Sequence, residues 1–319
     1  MGVAWADEER AVDRRSRLDR PWIRRGAPVL WLVAFVGYCV AFQIPVSRGI
    51  VVPWVLAAVL AFSIAQPKRW LRGVVFDWLP FLAVLFAYDI LRGLADGILP
   101  THVLPQLHAD QGLFGGVAPT VWLQHHLFHG AAHLRWYDYG VWVVFLTHFY
   151  ATLVLAGVLW LVAREQFRRW MSMACLLAVM GFVTYMLYPA APPWLASATG
   201  HLPPTQRILE AVFDHVPAFS SPFNSGGALG NDVAAMPSLH AGYAMLVALF
   251  LAQFVRRRWR PLLALYPLAM AFALAYAGEH YVVDVLVGWT YAAVAYSAVV
   301  RFAGRRVEQP AEVALAPAA

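Results

Sequence analysis

Two short stretches of the chain hold the residue types that phosphoryl chemistry needs. One is Ala234-Ala235-Met236-Pro237-Ser238-Leu239-His240-Ala241-Gly242, the other Gly278-Glu279-His280-Tyr281-Val282-Val283-Asp284. His280 and Asp284 are four residues apart, so on a helix they share a face and can pair. A carboxylate bonded to one imidazole nitrogen fixes the tautomer and leaves the other nitrogen basic, as a nucleophile or general base requires. The same pair can equally serve only to lock two helices. In the first stretch Pro237 and Ser238 suit a helix start, where exposed amides and the helix dipole make a site for an anion such as phosphate. His240, in that first turn, is placed to donate a proton to whatever binds there. Alone, this stretch also reads as a capped helix with an incidental histidine. Taken together, a carboxylate-backed histidine and a second histidine beside an anion hole fit phosphoryl transfer through a phosphohistidine.

Both stretches must then meet at one depth of a membrane. The chain has 319 residues, 61% hydrophobic, 14% aromatic and 13% charged, with a mean hydropathy of +0.59. That balance excludes an ordinary soluble domain. Eight apolar segments reach or approach the length of a bilayer crossing, at 27–47, 49–65, 74–96, 139–163, 170–188, 238–255, 261–278 and 281–301. The fold class read from them is an all-α integral membrane protein with about eight transmembrane helices. Eight spans put 20 of the 24 basic residues on one side, leaving Arg48, Arg92, Arg135 and Arg207 on or near the other. The bias predicts cytoplasmic termini and an extracytoplasmic site.

The formal charge of +6 is thus a matter of topology, and no nucleic-acid partner is expected. Residues 1–26 read as a cytoplasmic basic arm, 27–306 as the membrane catalytic domain, and 307–319 as a disordered Ala/Pro-rich tail. A retained first span fits the N-terminal pattern better than a cleaved signal. The two long outer connections are 97–138 and 189–236, and all eleven histidines lie in outer connections or in spans that approach them. The only cysteines, Cys39 and Cys175, sit in apolar runs, which excludes a disulfide framework and a thiolate metal site.

Pro237-Ser238-Leu239-His240-Ala241-Gly242 and His280-Tyr281-Val282-Val283-Asp284 resemble the second and third signature motifs of the type 2 phosphatidic acid phosphatase superfamily. They are most similar to its branch of inositol phosphorylceramide synthases and sphingomyelin synthases. Tyr188-Pro189-Ala190-Ala191-Pro192-Pro193-Trp194 is similar to the Ala-Pro-Pro-Trp segment of the inositol phosphorylceramide synthases. The likeness covers roughly residues 140–300 and implies a six-helix core like that of the lipid phosphatases. It further implies that His280 attacks phosphorus, Asp284 orients it, and His240 protonates the departing alcohol.

Some features of the resembling family are absent. There is no Lys-x6-Arg-Pro motif, Leu274 stands where the phosphatases place an arginine, and Leu239 stands where they place a glycine. A phosphoryl group in transfer still needs positive charge or oriented donors, and the candidates are Ser238, Arg92, Arg207 and His148. Arg92 also reads as a snorkelling helix-end residue paired with Asp89, Arg207 as a solvated loop charge, and His148 as a satisfied core histidine. Glu279 is read as interfacial. His125, His129 and His133 would form a stripe if helical, but Gly130 interrupts it and no carboxylate joins the set. No metal and no cofactor are expected.

The reading is a membrane enzyme that moves a phosphate-containing headgroup between a lipid and an alcohol or inositol-type acceptor. The missing phosphatase motifs and the Ala-Pro-Pro-Trp segment favour this transferase. Two alternatives stay open: a lipid or polyprenyl phosphate phosphatase of the same superfamily, and a proton-coupled transporter using His280 and Asp284 as a relay. The sequence leaves the oligomeric state undetermined.

Overall fold

The computed structural model describes residues 20–65, 67–94, 99–218 and 231–307. The tail from 308 onward and the arm up to residue 19 lie outside the described residues. The chain opens with α1 (Pro21–Phe42) and α2 (Arg48–Phe62). Pro67–Gly73, a π-helical turn Val74–Trp78 and Leu79–Leu94 then run on as one rod, α3. Two short helices follow, α4 (Leu104–Leu113) and α5 (Pro119–Leu127), before the long antiparallel pair α6 (Trp136–Val162) and α7 (Arg164–Leu187). Next come α8 (Pro193–Ala198), α9 (Ile208–His215), α10 (Leu239–Ala252), α11 (Arg260–Leu263), α12 (Leu265–Tyr276) and α13 (Val282–Val307). Among the described residues there are no strands, only two isolated parallel bridges.

Each apolar segment of the sequence becomes a helix, but their lengths differ. Pro21–Phe42, Trp70–Ala87, Trp136–Val162, Arg164–Leu187 and Val282–Phe302 are long and apolar enough to cross a membrane. The helices α10 and α12, of 14 and 12 residues, reach only about 21 and 18 Å at 1.5 Å per residue. They are short because their ends carry the site and its turns. The apolar face of α10 is covered by α6, α7, α12 and α13, α3 packs on α7, and α2 on α6. The outermost helix, α1, buries none of its residues.

Two aromatic-rich cores hold this arrangement. One gathers Trp78, Trp160, Phe167, Trp170 and Phe250 between α3, α6, α7 and α10. The other joins Trp142 and Phe145 of α6 to Ile208, Leu209 and Tyr276. At the Arg-rich end the Asp77 side chain, 5% exposed, accepts from Arg164 at 3.2 Å and from the Trp160 indole at 3.0 Å. The helix α7 runs from that cluster to Tyr188 at the opposite end of the bundle, where the two motif stretches meet.

Candidate active site

His280 sits in a tight connection between α12 and α13. Gly278 turns the chain with φ +79°, a left-handed conformation that disfavours any Cβ. A Cβ there would also press on the Gln206 carbonyl oxygen at 3.0 Å. The Glu279 and His280 amides both donate back to the Leu274 carbonyl, at 3.1 and 3.3 Å, and α13 begins only at Val282. His280 therefore precedes the helix on which the spacing to Asp284 was expected to place it.

The consequence for the ring is specific. Its Nδ1 lies 2.9 Å from the carbonyl oxygen of Ala235 and 3.7 Å from Asp284 Oδ2. A carbonyl only accepts, so Nδ1 carries the hydrogen, and in the neutral ring the lone pair is then on Nε2. The nearest acceptor to Nδ1 is thus a backbone carbonyl, and the carboxylate lies across a longer gap. Asp284 Oδ2 instead accepts the Tyr281 amide at 2.9 Å, closing the first turn of α13. Its other oxygen is buried with no hydrogen-bond partner among the described residues. His280 is 5% exposed and Asp284 fully buried.

The Tyr188–Trp194 segment explains why Ala235 is where it is. Ala190 receives at its carbonyl the Ala235 amide (3.2 Å) and donates to Val233 (2.6 Å), while the His102 amide donates to Pro189 (2.8 Å) and the Ala191 amide to His102 (2.9 Å). Three extended pieces of chain are thereby stitched side by side, with Ala190 in the middle. The Trp194 amide donates to the Gly278 carbonyl at 3.1 Å. One proline-rich segment thus fixes both the carbonyl that holds His280 and the turn that carries it.

His240 occupies the first turn of α10, capped by Ser238, whose Oγ accepts the Ala241 amide at 3.3 Å. Ser238 is fully buried, and its side chain serves as the cap of α10. The His240 ring stands 5.6 Å from that of His280, 4.1 Å from that of His148, and stacks on Phe145 at 5.0 Å. The predicted His148 joins the two motif histidines, delivered by α6. The closeness depends on glycines: α10 and α13 cross at Gly242 and Gly288, where a Cβ on Gly288 would collide with the Ser238 carbonyl.

Arg207 does not stand as an open cation. Its guanidinium forms a two-point pair with Glu279, at 2.9 and 3.3 Å, and lies over the Trp194 ring at 4.5 Å. The solvated-loop reading of Arg207 is replaced by a mostly buried ion pair, 23% and 11% exposed, next to His280 in the chain. Glu279 accordingly belongs to this pair and precedes the helix. Arg92 belongs to α3 by its backbone, and its side chain lies outside the described residues. The histidine stripe does not form. The helix α5 ends at Leu127, Gly130 adopts φ +95°, and His133 falls in a separate short turn. Among the described residues no group of three possible metal ligands is present.

Other contributors left little trace in the sequence. Asp110, in the outer connection 97–138, lies inside α4 and is fully buried. Its two oxygens accept the Val282 and Val283 amides, each at 2.9 Å. Burial pushes its carboxyl up to about 6, against the downward pull of those two amide bonds. The Gln124 side chain of α5 exchanges two bonds with the Gln206 backbone and donates to Tyr276 O, all at 2.8 Å. It ties the connection before Arg207 to the end of α12.

Residues 112–298 match the family model described as the PAP2 superfamily. The phosphoinositol dihydroceramide synthase of Bacteroides thetaiotaomicron is 29% identical over 231 residues, which is 68% of this chain and 73% of that protein. The catalytic subunit of the inositol phosphorylceramide synthase of Schizosaccharomyces pombe is 30% identical over 176 residues, 51% of this chain and 39% of that protein. The chain thus spans well under half the length of the yeast relative. No solved structure matches it significantly.

Proposed function

The chain belongs to the PAP2 superfamily, and on that premise we propose that it is a multi-pass membrane phosphotransferase that moves a phosphate-containing headgroup between a lipid and an inositol-type or other alcohol. His280 Nε2 attacks the phosphorus of the lipid phosphoester, the bond from phosphorus to the leaving alcohol breaks, and His240 gives that oxygen its proton. In the second half the acceptor hydroxyl attacks the phosphohistidine, the N–P bond breaks, and the acceptor's proton returns to His240. Asp284 stabilises the imidazole as positive charge develops on it. The first-turn amides of α10, with His148 behind them, face the phosphoryl oxygens. The names of the two relatives support the headgroup and acceptor class.

The observation that supports the proposal is the 2.9 Å bond from His280 Nδ1 to Ala235, which leaves Nε2 available as the attacking atom, with the His240 ring 5.6 Å from the His280 ring. A second feature favours exchange on a phosphodiester over hydrolysis of a monoester. Arg207 is balanced by Glu279, so the described surroundings of the two histidines offer dipoles and imidazoles. A diester carries one negative charge where a monoester carries close to two at neutral pH. The arginine distribution supports a site on the extracytoplasmic face with both termini in the cytoplasm.

The test supplies purified protein with a headgroup-labelled phospholipid, with and without a lipid alcohol acceptor, and with and without free inositol alongside a labelled lipid donor. Label in a new lipid, dependent on an acceptor and lost in His280→Ala, supports the transferase. Water-soluble headgroup phosphate released regardless of acceptor assigns the chain to hydrolysis. A His280→Ala variant as active as the unsubstituted chain refutes the mechanism.

A further inference from the structure

We propose that Asp110 is a positioning residue for phosphoryl transfer: its carboxylate, reaching over from α4, clamps the first turn of α13 and so holds His280 and Asp284 in register with Ala235 and His240. This rests on the catalytic reading above, but the clamp is a matter of geometry. The helix α13 begins without a conventional cap of its own at Tyr281, and its first amides would otherwise face a buried environment. Three of them are met by two carboxylates. Asp284 takes the Tyr281 amide from within the helix, and Asp110 takes those of Val282 and Val283 from more than 170 residues away in the chain. The bonds fix the peptide units directly after His280, and Ser238 extends the lock by donating its amide to the Asp284 carbonyl at 2.9 Å.

The face of α4 that carries Asp110 is built for this contact. Gln106, one turn earlier, is buried beside it and points its amide nitrogen at the Met236 sulfur, 3.9 Å away. Leu107 packs with Tyr281. One helical face thus touches both halves of the site, α13 through Asp110 and the Ala235–Pro237 stretch through Gln106. The arrangement is poor economy for stability alone. Burying a carboxylate near Asp284 and Tyr281 is costly, and burial holds the Asp110 carboxyl up at about 6. An apolar cap neighbourhood or an asparagine would avoid much of that cost, whereas only an ionised carboxylate offers two full acceptors to two adjacent amides.

Asp110→Asn keeps one acceptor of the two and Asp110→Ala keeps none. In the full-length protein reconstituted in detergent or lipid, hydrogen–deuterium exchange at residues 281–284 is expected to quicken in the order unsubstituted, Asn, Ala, with α6 and α7 unchanged. In the headgroup-transfer assay Asp110→Asn is expected to lose about tenfold to 100-fold in kcat with KM within a factor of about two, while its thermal midpoint at pH 7 stays level or rises. A merely structural residue would lower the midpoint along with activity. Unchanged exchange at 281–284 overturns the clamp. A kcat within about twofold of the unsubstituted chain overturns the positioning role, and a rise in KM alone reassigns Asp110 to substrate binding. The exchange measurement needs no substrate, so failure of the catalytic reading shows separately, as an unsubstituted chain that turns over no lipid phosphoester while its clamp is intact.

Discussion

Replacing Gly288 with alanine tests how far the distance between the two motif histidines is set by helix packing. A Cβ built on Gly288 falls 3.1 Å from the Ser238 carbonyl carbon and closer still to its oxygen. Carbon atoms settle at about 3.5–4.0 Å, so α10 and α13 must part by at least roughly 0.5–1 Å. The neighbour is backbone and cannot rotate aside. Ser238 caps the helix on which His240 lies two residues later, and its amide is bonded to the Asp284 carbonyl. The displacement therefore falls on the 5.6 Å separation of the His240 and His280 rings. A misplacement of about 1 Å in reacting groups can cost on the order of 100-fold in rate, about 2.7 kcal/mol of barrier. Overpacking costs about 1–3 kcal/mol of stability. Gly288→Ala is thus expected to lose about 100-fold in kcat for headgroup transfer while remaining folded by a thermal-midpoint assay. Gly242→Ala, whose Cβ would meet the Gly288 oxygen at 3.1 Å, is expected to lose less. Gly157→Ala meets only Val55 and Val59 side chains at 3.5 and 3.6 Å and serves as the tolerated control. A folded Gly288→Ala with kcat within about threefold of the unsubstituted chain refutes the reasoning.

Because Ala235 already holds Nδ1, Asp284→Asn is expected to slow transfer by about 10- to 100-fold, well short of the loss in His280→Ala; single-turnover rates decide, and equal losses would return the ring's orientation to the carboxylate. Glu279→Gln releases Arg207 from its pair beside His280. An added unit charge within about 10 Å is worth on the order of 1 kcal/mol at an effective dielectric near 20, so the kcat/KM ratio of lipid phosphomonoester to phosphodiester is expected to rise about fivefold; an unchanged ratio argues against charge scarcity as the selector. Asp110, raised from 3.8 to about 6 in the folded chain with Asp284 and Tyr281 facing it, keeps its proton where the unfolded chain has lost it. Its contribution to stability is then full below about pH 4 and is lost as pH rises through 6. Thermal midpoints across that window should show a downward slope that Asp110→Asn flattens, and an identical slope in the variant contradicts the assignment.

Much of this molecule was legible from side chains alone. Each apolar run became a helix, because a stretch with no water to satisfy its backbone must bond internally. His240, His280 and Asp284 converge because their motifs open neighbouring helices at one end of the bundle. His148 was legible as a polar residue inside an apolar span. What was hidden is mostly backbone. Ala235 acts through a carbonyl that every residue possesses, and Ala190 acts through its amide and carbonyl, so neither has a side-chain signature. Asp110 lies in the outer connection 97–138, and its partners are amides far away in the chain. Glu279 and Arg207 lie in different connections, and nothing in their spacing foretells the pair. His280 and Asp284 do lie within ion-pair distance, 3.7 Å, but His280 stands just before the helix and not on it, because the chain turns at Gly278 and α13 begins at Val282.

The proline-rich segment from Tyr188 to Trp194 gains a physical account from these contacts. Proline cannot donate, and it restricts the residue before it to extended backbone. Pro189, Pro192 and Pro193 therefore keep residues 188–192 extended up to the start of α8 at Pro193 and leave the hydrogen bonding to Ala190, Ala191 and Trp194. Those amides go to Val233, His102 and Gly278, and the Ala190 carbonyl goes to Ala235. The small side chains at 190 and 191 are fully buried, as close passage of three chain segments requires. Trp194 then supplies the face on which Arg207 rests while it pairs with Glu279. The segment contacts the site through backbone and one ring, yet it braces the Ala235 carbonyl beside Nδ1, the turn at Gly278 and the Arg207–Glu279 pair next to His280 in the chain. A likeness in this segment is accordingly a likeness in how the histidine is held.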